Sequence, residues 1–241
     1  VSGEQGYFKY RTPALVTTAS GTILAFCEGR RYNGHDDAEI DIVLRRSRDG
    51  GRTLSEGIWL PQQWQVSEGA LARARDGALV AALRTAPAPG MPSYCDHWRR
   101  LTTARSLDEG LTWTDHQVHF DYGKVHSGLV TLSNGDLLLT YAARMGEVDG
   151  EIYHGIEAVL SCDHGKTWDW DRRFTLFRWA MHQTMHSPCS LELADGRILT
   201  VFLYHYGAQW GKAGIGGSAR TLGITSAVIW SPGAAIRPHT D

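Results

Sequence analysis

Ser106-Leu-Asp-Glu-Gly-Leu-Thr-Trp113 is the stretch that decides the fold, because the 241-residue chain contains nearly the same octamer twice more. The other copies are Ser47-Arg-Asp-Gly-Gly-Arg-Thr-Leu54 and Ser161-Cys-Asp-His-Gly-Lys-Thr-Trp168, so the shared octamer is S-x-D-x-G-x-T-W, with Leu54 in the first Trp position. The three copies are almost evenly spaced along the chain. A motif copied at regular intervals of this size predicts a repeat fold.

Each octamer has the residues of a tight turn. An Asp at the third position can accept hydrogen bonds from backbone N–H groups of its own turn. A Gly at the fifth position can adopt positive φ without a Cβ clash, and a Trp at the eighth can pack between neighbouring sheets. The octamer therefore predicts a hairpin turn with a packed aromatic ring.

A second pattern, a glycine between two apolar stretches, occurs four times along the chain. Its glycines are Gly21, Gly77, Gly135 and Gly196, which are nearly evenly spaced. Each copy predicts two short strands joined by a tight turn, and the runs before and after each octamer predict a third and a fourth strand. Four strands every ~57 residues are typical of a β-propeller blade.

The repeats therefore predict an all-β fold, a β-propeller with four blades in one domain spanning residues 1–241, without long helices. The last repeat, Thr221–Trp230, lacks the octamer. A hydrophobic content of 42% allows a core. No apolar run approaches the ~18 residues of a membrane helix.

Composition and spacing argue against several functional classes. A net charge of −2 without a basic block argues against a nucleic-acid partner. The four cysteines and eleven histidines show no metal-ligand spacing, so we expect free thiols and neither a metal nor another cofactor.

Several arginines occur at strand ends of different repeats, where a propeller directs side chains toward a shared pocket. They are Arg11, Arg30, Arg84 and Arg144. A single Arg is usually a solvated surface residue, but four at related positions favour a pocket that binds a carboxylate in fork geometry. Glu68 and His126 occupy corresponding positions in repeats two and three, so both are candidates to line that pocket. For His126, a histidine packed at a strand end is an equal alternative.

The polar loop at 31–39 contains Asp36. A carboxylate on such a loop can act as a general acid when the substrate desolvates it. The alternatives are an ordinary acidic loop and a weak divalent-cation site.

The first repeat resembles the sialidases (neuraminidases). Tyr10-Arg11-Thr-Pro13 is similar to their F/Y-R-I-P motif, and Leu24-Ala-Phe-Cys-Glu-Gly-Arg30 followed by Asp36 is similar to the next stretch of that family. The octamers resemble the Asp boxes of the family. The resemblance implies a six-bladed propeller that hydrolyses terminal sialic acid from glycoconjugates.

The resemblance also implies roles for individual residues. Arg11, Arg84 and Arg144 match the arginines that hold the substrate carboxylate, and Arg30 and His126 are further candidates for substrate binding. Asp36 matches the acid/base, and Glu68 matches the Glu that withdraws a proton from a Tyr nucleophile. A sialylated or other acidic glycan is the implied partner.

The chain departs from the family in three respects. Ser187, shortly before the turn at Asp195, stands where the family's Tyr is expected. The chain shows four blades instead of six, and the segment from Asp36 to Glu68 is shorter than its counterpart in the family. Two alternatives therefore stay open: a hydrolase or lyase acting on another acidic sugar, and a non-catalytic glycan- or protein-binding propeller. We expect a secreted or periplasmic protein if a signal peptide was removed.

Overall fold

The computed structural model of the chain shows four antiparallel β-sheets, which we call blades 1 to 4. It describes residues 3–18, 20–34, 39–55, 57–60, 64–92, 98–148, 151–179, 185–206 and 222–233. Blade 1 contains β1 (Lys9–Thr17), β2 (Ile23–Arg30), β3 (Ile40–Ser47) and β4 (Ile58–Leu60). Blade 2 contains β5 (Gly69–Arg73), β6 (Leu79–Pro87), β7 (Arg99–Ser106) and β8 (Thr114–Phe120).

The second half of the chain forms the other two blades. Blade 3 contains β9 (Lys124–Thr131), β10 (Leu137–Val148), β11 (Glu151–Ser161) and β12 (Phe174–Trp179). Blade 4 contains β13 (Met185–Glu192), β14 (Ile198–Tyr206) and β15 (Leu222–Trp230). Within every blade the strands pair in chain order, and the first strands of successive blades are neighbours. The predicted all-β architecture of four blades is confirmed.

The octamers form the turns between the third and fourth strands, as predicted. In the second copy, Asp108 Oδ1 accepts hydrogen bonds from the Thr112 N–H and the Ser106 hydroxyl, each at 2.8 Å. The Thr112 hydroxyl donates to Asp108 Oδ2 at 2.5 Å. Asp49 and Asp163 make the same three bonds in the other copies. The octamer is therefore a self-contained hydrogen-bonded unit.

These bonds change the acidity of the octamer aspartates. Hydrogen bonds from the side chain and the backbone of Thr53 lower the pKa of Asp49 to about 2. Burial raises the pKa of Asp108, but the bonds from Thr112 and Ser106 outweigh it and lower the pKa overall. The carboxylate form is thus the one that the turn stabilises.

The octamer also joins one blade to the next. Gly110 has φ of +81°, and a Cβ at this position would lie 2.9 Å from the Phe26 ring of blade 1. Trp113 packs edge-on against the same ring, with centroids 6.4 Å apart. Trp168 is buried in the core between blades 2 and 3. In the first copy, Leu54 is 50% exposed, so it makes no comparable core contact.

Two details differ from the predicted repeat. In blade 3, a 3-10 turn at Trp170–Arg172 separates the octamer from β12, so the fourth strand does not directly follow the octamer. Blade 4 has three strands within the described residues. No helix in the described part of the chain is long and apolar enough to cross a membrane.

Candidate functional site

The first strands of the blades share an irregularity at one end. In β1, β9 and β13 the pairing register shifts near Thr12, His126 and Ser187, respectively. These three residues have positive φ of 48°, 54° and 44°. In blade 2, Arg84 N donates to the Glu68 carbonyl at 2.7 Å and the Arg84 carbonyl accepts from Ser67 N at 3.0 Å. Each blade therefore places two residues opposite one, which is the pairing of a β-bulge.

These bulges lie around a common cavity. Thr12, Glu68, His126 and Ser187, one from each blade, all line a cavity of about 420 Å³. They occupy the same place in the repeat but differ in chemistry: two hydroxyls, a carboxylate and an imidazole. Backbone in a sparsely populated conformation is often found at binding sites. We call this cavity, with the charged residues beside it, the candidate site.

A line of charged and polar side chains crosses the candidate site from blade 2 to blade 3. Glu68 Oε2 lies 3.4 Å from Arg84 Nη1 and 2.5 Å from His126 Nδ1. His126 Nε2 lies 2.7 Å from Arg144 Nη2. Because arginine can only donate hydrogen bonds, His126 Nε2 must accept, which assigns the ring proton to Nδ1 and directs it at Glu68. The side chains of Arg84, His126 and Arg144 are buried, and Glu68 is partly exposed.

Arg84 is further held by Ser67, whose hydroxyl oxygen accepts a hydrogen bond from Arg84 Nε at 2.7 Å. This contact fixes the guanidinium plane while Nη1 lies 3.4 Å from Glu68 Oε2. An arginine whose orientation is set before binding loses less conformational entropy when it binds an anion.

A second ion pair lies in blade 1. Arg30 is fully buried, and its Nε and Nη2 lie 2.9 Å and 2.8 Å from Glu28 Oε2. Burial raises the pKa of Glu28, although the hydrogen bond and charge of Arg30 oppose the change. Glu68 also raises and Arg84 lowers this pKa, so Glu28 shares the electrostatic field of the candidate site.

The structure brings together four of the predicted site residues: Glu68, Arg84, His126 and Arg144. Arg11 lies at the same end of blade 1, where it pairs with Glu28 across β1 and β2. Arg30 contacts Glu28 and the Gly34 carbonyl instead of lining the cavity. Asp36 lies outside the described residues. The substrate-binding and catalytic roles of all seven residues stay predictions.

Three further residues belong to this region: Glu28, Ser67 and Thr12. The repeat contains a signal for two of them, because Glu28 stands in the same place after Gly21 as Arg84 does after Gly77. In the same way, Thr12 stands before Gly21 where Glu68 stands before Gly77. Aligning the glycines identifies both, whereas no local pattern marks Ser67.

No described tyrosine takes the place of the family's nucleophile. Ser187 is exposed and lines the cavity. Tyr204 packs beside Phe177 in the core between blades 3 and 4, with ring centroids 5.5 Å apart. The structure does not describe the side chain of Tyr206.

A tyrosine–glutamate pair does exist elsewhere in blade 3. The Tyr153 hydroxyl donates to Glu157 Oε1, which also lies 2.9 Å from Lys124 Nζ. All three side chains are buried and none of them lines the cavity. Burial raises the pKa of Tyr153, and the charge of Glu157 raises it further. This pair therefore holds its phenol protonated and away from any ligand in the candidate site.

Comparison with known proteins supports a relation to glycosidases. Residues 4–207 match the BNR repeat-like domain family. A sialidase of Micromonospora viridifaciens is 28% identical over 229 residues, which cover 83% of this chain and 33% of the relative. The chain therefore spans about a third of the length of that relative.

Solved structures share the fold. The Hadza microbial sialidase Hz136 superimposes with a TM-score of 0.62 at 22% identity, over 83% of this chain and 43% of that chain. The GH93 α-L-arabinofuranosidase of Fusarium graminearum superimposes with a TM-score of 0.64 at 14% identity, over 95% and 65% of the two chains. Since the family match extends from residue 4 to residue 207, this chain belongs to the BNR repeat-like family within the sialidase superfamily of β-propellers.

Proposed function

We propose that this chain provides the active site of an exo-α-sialidase-like glycoside hydrolase, which removes terminal sialic acid from glycoconjugates. The observation that carries the proposal is the Arg84–Glu68–His126–Arg144 line beside a cavity bounded by all four blades. The related Micromonospora protein is a sialidase, which supports the same class.

The charge balance of the site suits an anionic sugar. Arg11, Arg30, Arg84 and Arg144 outnumber the two carboxylates of Glu28 and Glu68. The buried guanidinium groups of Arg84 and Arg144 come from different blades and lie at the two ends of the line through Glu68 and His126, so they supply positive charge from two sides of the candidate site. Because the side chains of Arg84 and Arg144 are buried, their charge-assisted hydrogen bonds are stronger than those at an open surface.

The proposed chemistry divides between two carboxylates. Asp36 protonates the leaving glycosidic oxygen as the bond from the anomeric carbon to that oxygen breaks. Glu68, oriented by Arg84 and His126, withdraws a proton from the attacking group as its oxygen bonds to the anomeric carbon. With Ser187 in place of a phenol, the cavity has room for water as that attacking group.

Hydrolysis of a sialoside whose leaving group is a sugar, which departs only when its oxygen is protonated, tests the proposal in the folded protein, with Asp36→Asn as the variant. We expect turnover by the wild type and a loss on the order of 100-fold in Asp36→Asn, the usual contribution of a general acid. Asp195→Asn is the matched control, because Asp195 pairs with Arg197 in a hairpin turn and does not line the cavity. A folded wild type without turnover, or full activity in Asp36→Asn, contradicts the proposal.

A second candidate is a hydrolase or lyase that acts on a uronic-acid glycan. The presence of His126 and Ser187 in the cavity, without a phenol, favours it. In a lyase, a base removes the proton beside the carboxylate, the bond to the leaving oxygen breaks, and a carbon–carbon double bond forms. The ultraviolet absorbance of an unsaturated product, in a screen of acidic oligosaccharides, distinguishes this candidate from a sialidase.

A non-catalytic glycan-binding propeller is the remaining alternative. Calorimetric titration with a sialic-acid transition-state analogue separates it from the enzymes. Binding without turnover of any acidic glycan in the screen would favour a binding protein.

A further inference from the structure

Two aromatic side chains, Trp98 and Tyr122, lie together at one end of blade 2. Their ring centroids are 5.9 Å apart, with an angle of 50° between the ring planes. Trp98 directly precedes β7, and Tyr122 lies in the short link between β8 and β9. Tyr122 is 46% exposed and Trp98 is partly exposed. Neither ring belongs to the hydrophobic clusters that hold the blades together in the described part of the chain, so the packing of the core does not account for this aromatic pair.

The aromatic pair lies at the same end of the blades as the candidate site. The carbonyl of Gly123, the residue after Tyr122, accepts hydrogen bonds from the Arg144 N–H at 2.8 Å and the Met145 N–H at 3.1 Å. The link that carries Tyr122 is thus bonded to the main chain of a residue of the candidate site. Tyr122 precedes His126 by four residues, so the two Cα atoms lie within about 14 Å of each other whatever the conformation between them.

An ion pair at the surface flanks the aromatic pair. Arg100 Nε lies 3.0 Å from Asp121 Oδ1, and both side chains reach solvent. Their charges cancel, and an ion pair at the surface contributes little, so its donors and acceptors can turn to a ligand at small cost. Aromatic rings beside such groups suit a ligand with apolar ring faces and hydroxyl groups at its edges, which is the chemistry of a neutral pyranose sugar.

An exo-acting hydrolase holds the terminal sugar in its cavity, so the rest of the glycan extends over the surface around that cavity. The arginines of the candidate site supply charge for an acidic terminal sugar, whereas the aromatic pair and the ion pair beside it carry no net charge. We propose that Trp98 and Tyr122 form a stacking subsite for a neutral sugar on the leaving-group side of the cleaved bond. The order of the two sugars rests on the proposed function, whereas the stacking of a sugar on the aromatic pair does not.

Steady-state kinetics of Tyr122→Ala on two substrates test the inference. Sialyl fluoride has a leaving group without a ring that could stack, and 3′-sialyllactose has two neutral sugars on the leaving side. We expect Tyr122→Ala to raise KM for 3′-sialyllactose about 5- to 10-fold, the size expected when one stacking contact is lost. We expect kcat/KM for sialyl fluoride to stay within about 2-fold of the wild type. Tyr122→Phe keeps the ring and should restore KM for 3′-sialyllactose to within about 2-fold of the wild type.

Leu111→Ala is the matched control. Leu111 is 49% exposed, close to the exposure of Tyr122, but it lies in the octamer turn at the opposite end of the same blade. We expect this variant to keep the wild-type KM for both substrates, because a glycan held in the candidate site does not extend to that end of the blade. A rise in KM for 3′-sialyllactose alone in Leu111→Ala would contradict the location of the subsite.

An unchanged KM for 3′-sialyllactose in Tyr122→Ala, or an equal change on both substrates, would overturn the inference. If the wild type turns over neither substrate, the proposed function fails, and saturation-transfer NMR with lactose then decides on the subsite alone. We expect transfer from the protein to the lactose protons in the wild type, and at least about 3-fold less in Trp98→Ala and in Tyr122→Ala. No transfer in the wild type, or equal transfer in the folded variants, would show that the aromatic pair does not bind a sugar.

Discussion

The octamers and the bulges of the candidate site are both repeated features of this chain, but the octamers conserve their side chains from blade to blade whereas the bulges conserve only their backbone position. The octamers keep the same residues and the same hydrogen bonds in three blades. The bulges keep the same backbone position in four blades, while their side chains change to Thr12, Glu68, His126 and Ser187. Repetition of side chains thus marks the scaffold, and their variation at a repeated position marks the site.

The largest expected effect tests whether the variable bulge residues and the arginine beside them form a functional site. Arg84→Ala removes the guanidinium that contacts Glu68 and Ser67. We expect kcat/KM for an aryl sialoside to fall on the order of 100-fold or more, because loss of one preorganised donor typically costs this much.

The matched control for Arg84 is Arg197→Ala. Arg197 also pairs with an aspartate, but it is exposed in the hairpin turn between β13 and β14. We expect this variant to keep the wild-type kcat/KM within about 2-fold, as surface ion pairs contribute little. Equal activity of Arg84→Ala and Arg197→Ala would contradict the assignment of Arg84 to the functional site.

Asp108→Ala tests whether the octamers serve only to stabilise the fold, and its expected effect is smaller. The variant loses the acceptor of three hydrogen bonds in the second octamer. We expect the free energy of unfolding to decrease by about 1–2 kcal/mol, the usual cost of such a loss in a partly exposed turn. Chemical denaturation measures this decrease, and kcat should stay unchanged below the unfolding transition. A large loss of kcat with unchanged stability would place the octamer in the site.

The smallest expected effect concerns the stability of the fold at acidic pH. The pKa of Asp49 falls from its ordinary 3.8 to about 2 because Thr53 and Ser47 donate hydrogen bonds to its carboxylate. A carboxyl group whose pKa is lower in the folded state stabilises the fold above pH 4, and this contribution is lost as the pH falls from about 4 to about 2. We therefore expect the stability of Asp49→Asn to depend less on pH in that range than the wild type does. Identical acid-unfolding curves for the two proteins would contradict the octamer's assigned role.

Local patterns predicted the scaffold well. The octamer turns and the glycine hairpins involve residues within four positions of each other, so their geometry follows from the neighbouring residues alone. The 3-10 turn before β12 was missed, because the run after Trp168 has no glycine or proline to mark it.

The candidate site was predicted less completely. Glu68, Arg84, His126 and Arg144 were selected one by one from their repeat positions, and their contacts became visible only when blades 2 and 3 were placed side by side. The burial of Arg30 against Glu28 depends on packing that no local pattern contains, and the substrate-binding role of Arg30 stays a prediction. Tyr204 is likewise directed into the core by the pairing of β14 with β13 and β15.

By itself, the sequence determined the repeat unit, the number of blades and the residue types available at each strand end. These follow from short-range turn chemistry and from the spacing of glycines and octamers along the chain. The tertiary structure alone decided which of the charged residues meet. Glu68 and His126 belong to different repeats, a whole blade apart along the chain, and their 2.5 Å contact depends on how one blade packs against the next. Hydrophobic contacts between blades, such as the packing of Trp168 in the core between blades 2 and 3, hold the two blades side by side. These contacts join residues that are far apart in the sequence, so no local pattern reveals them.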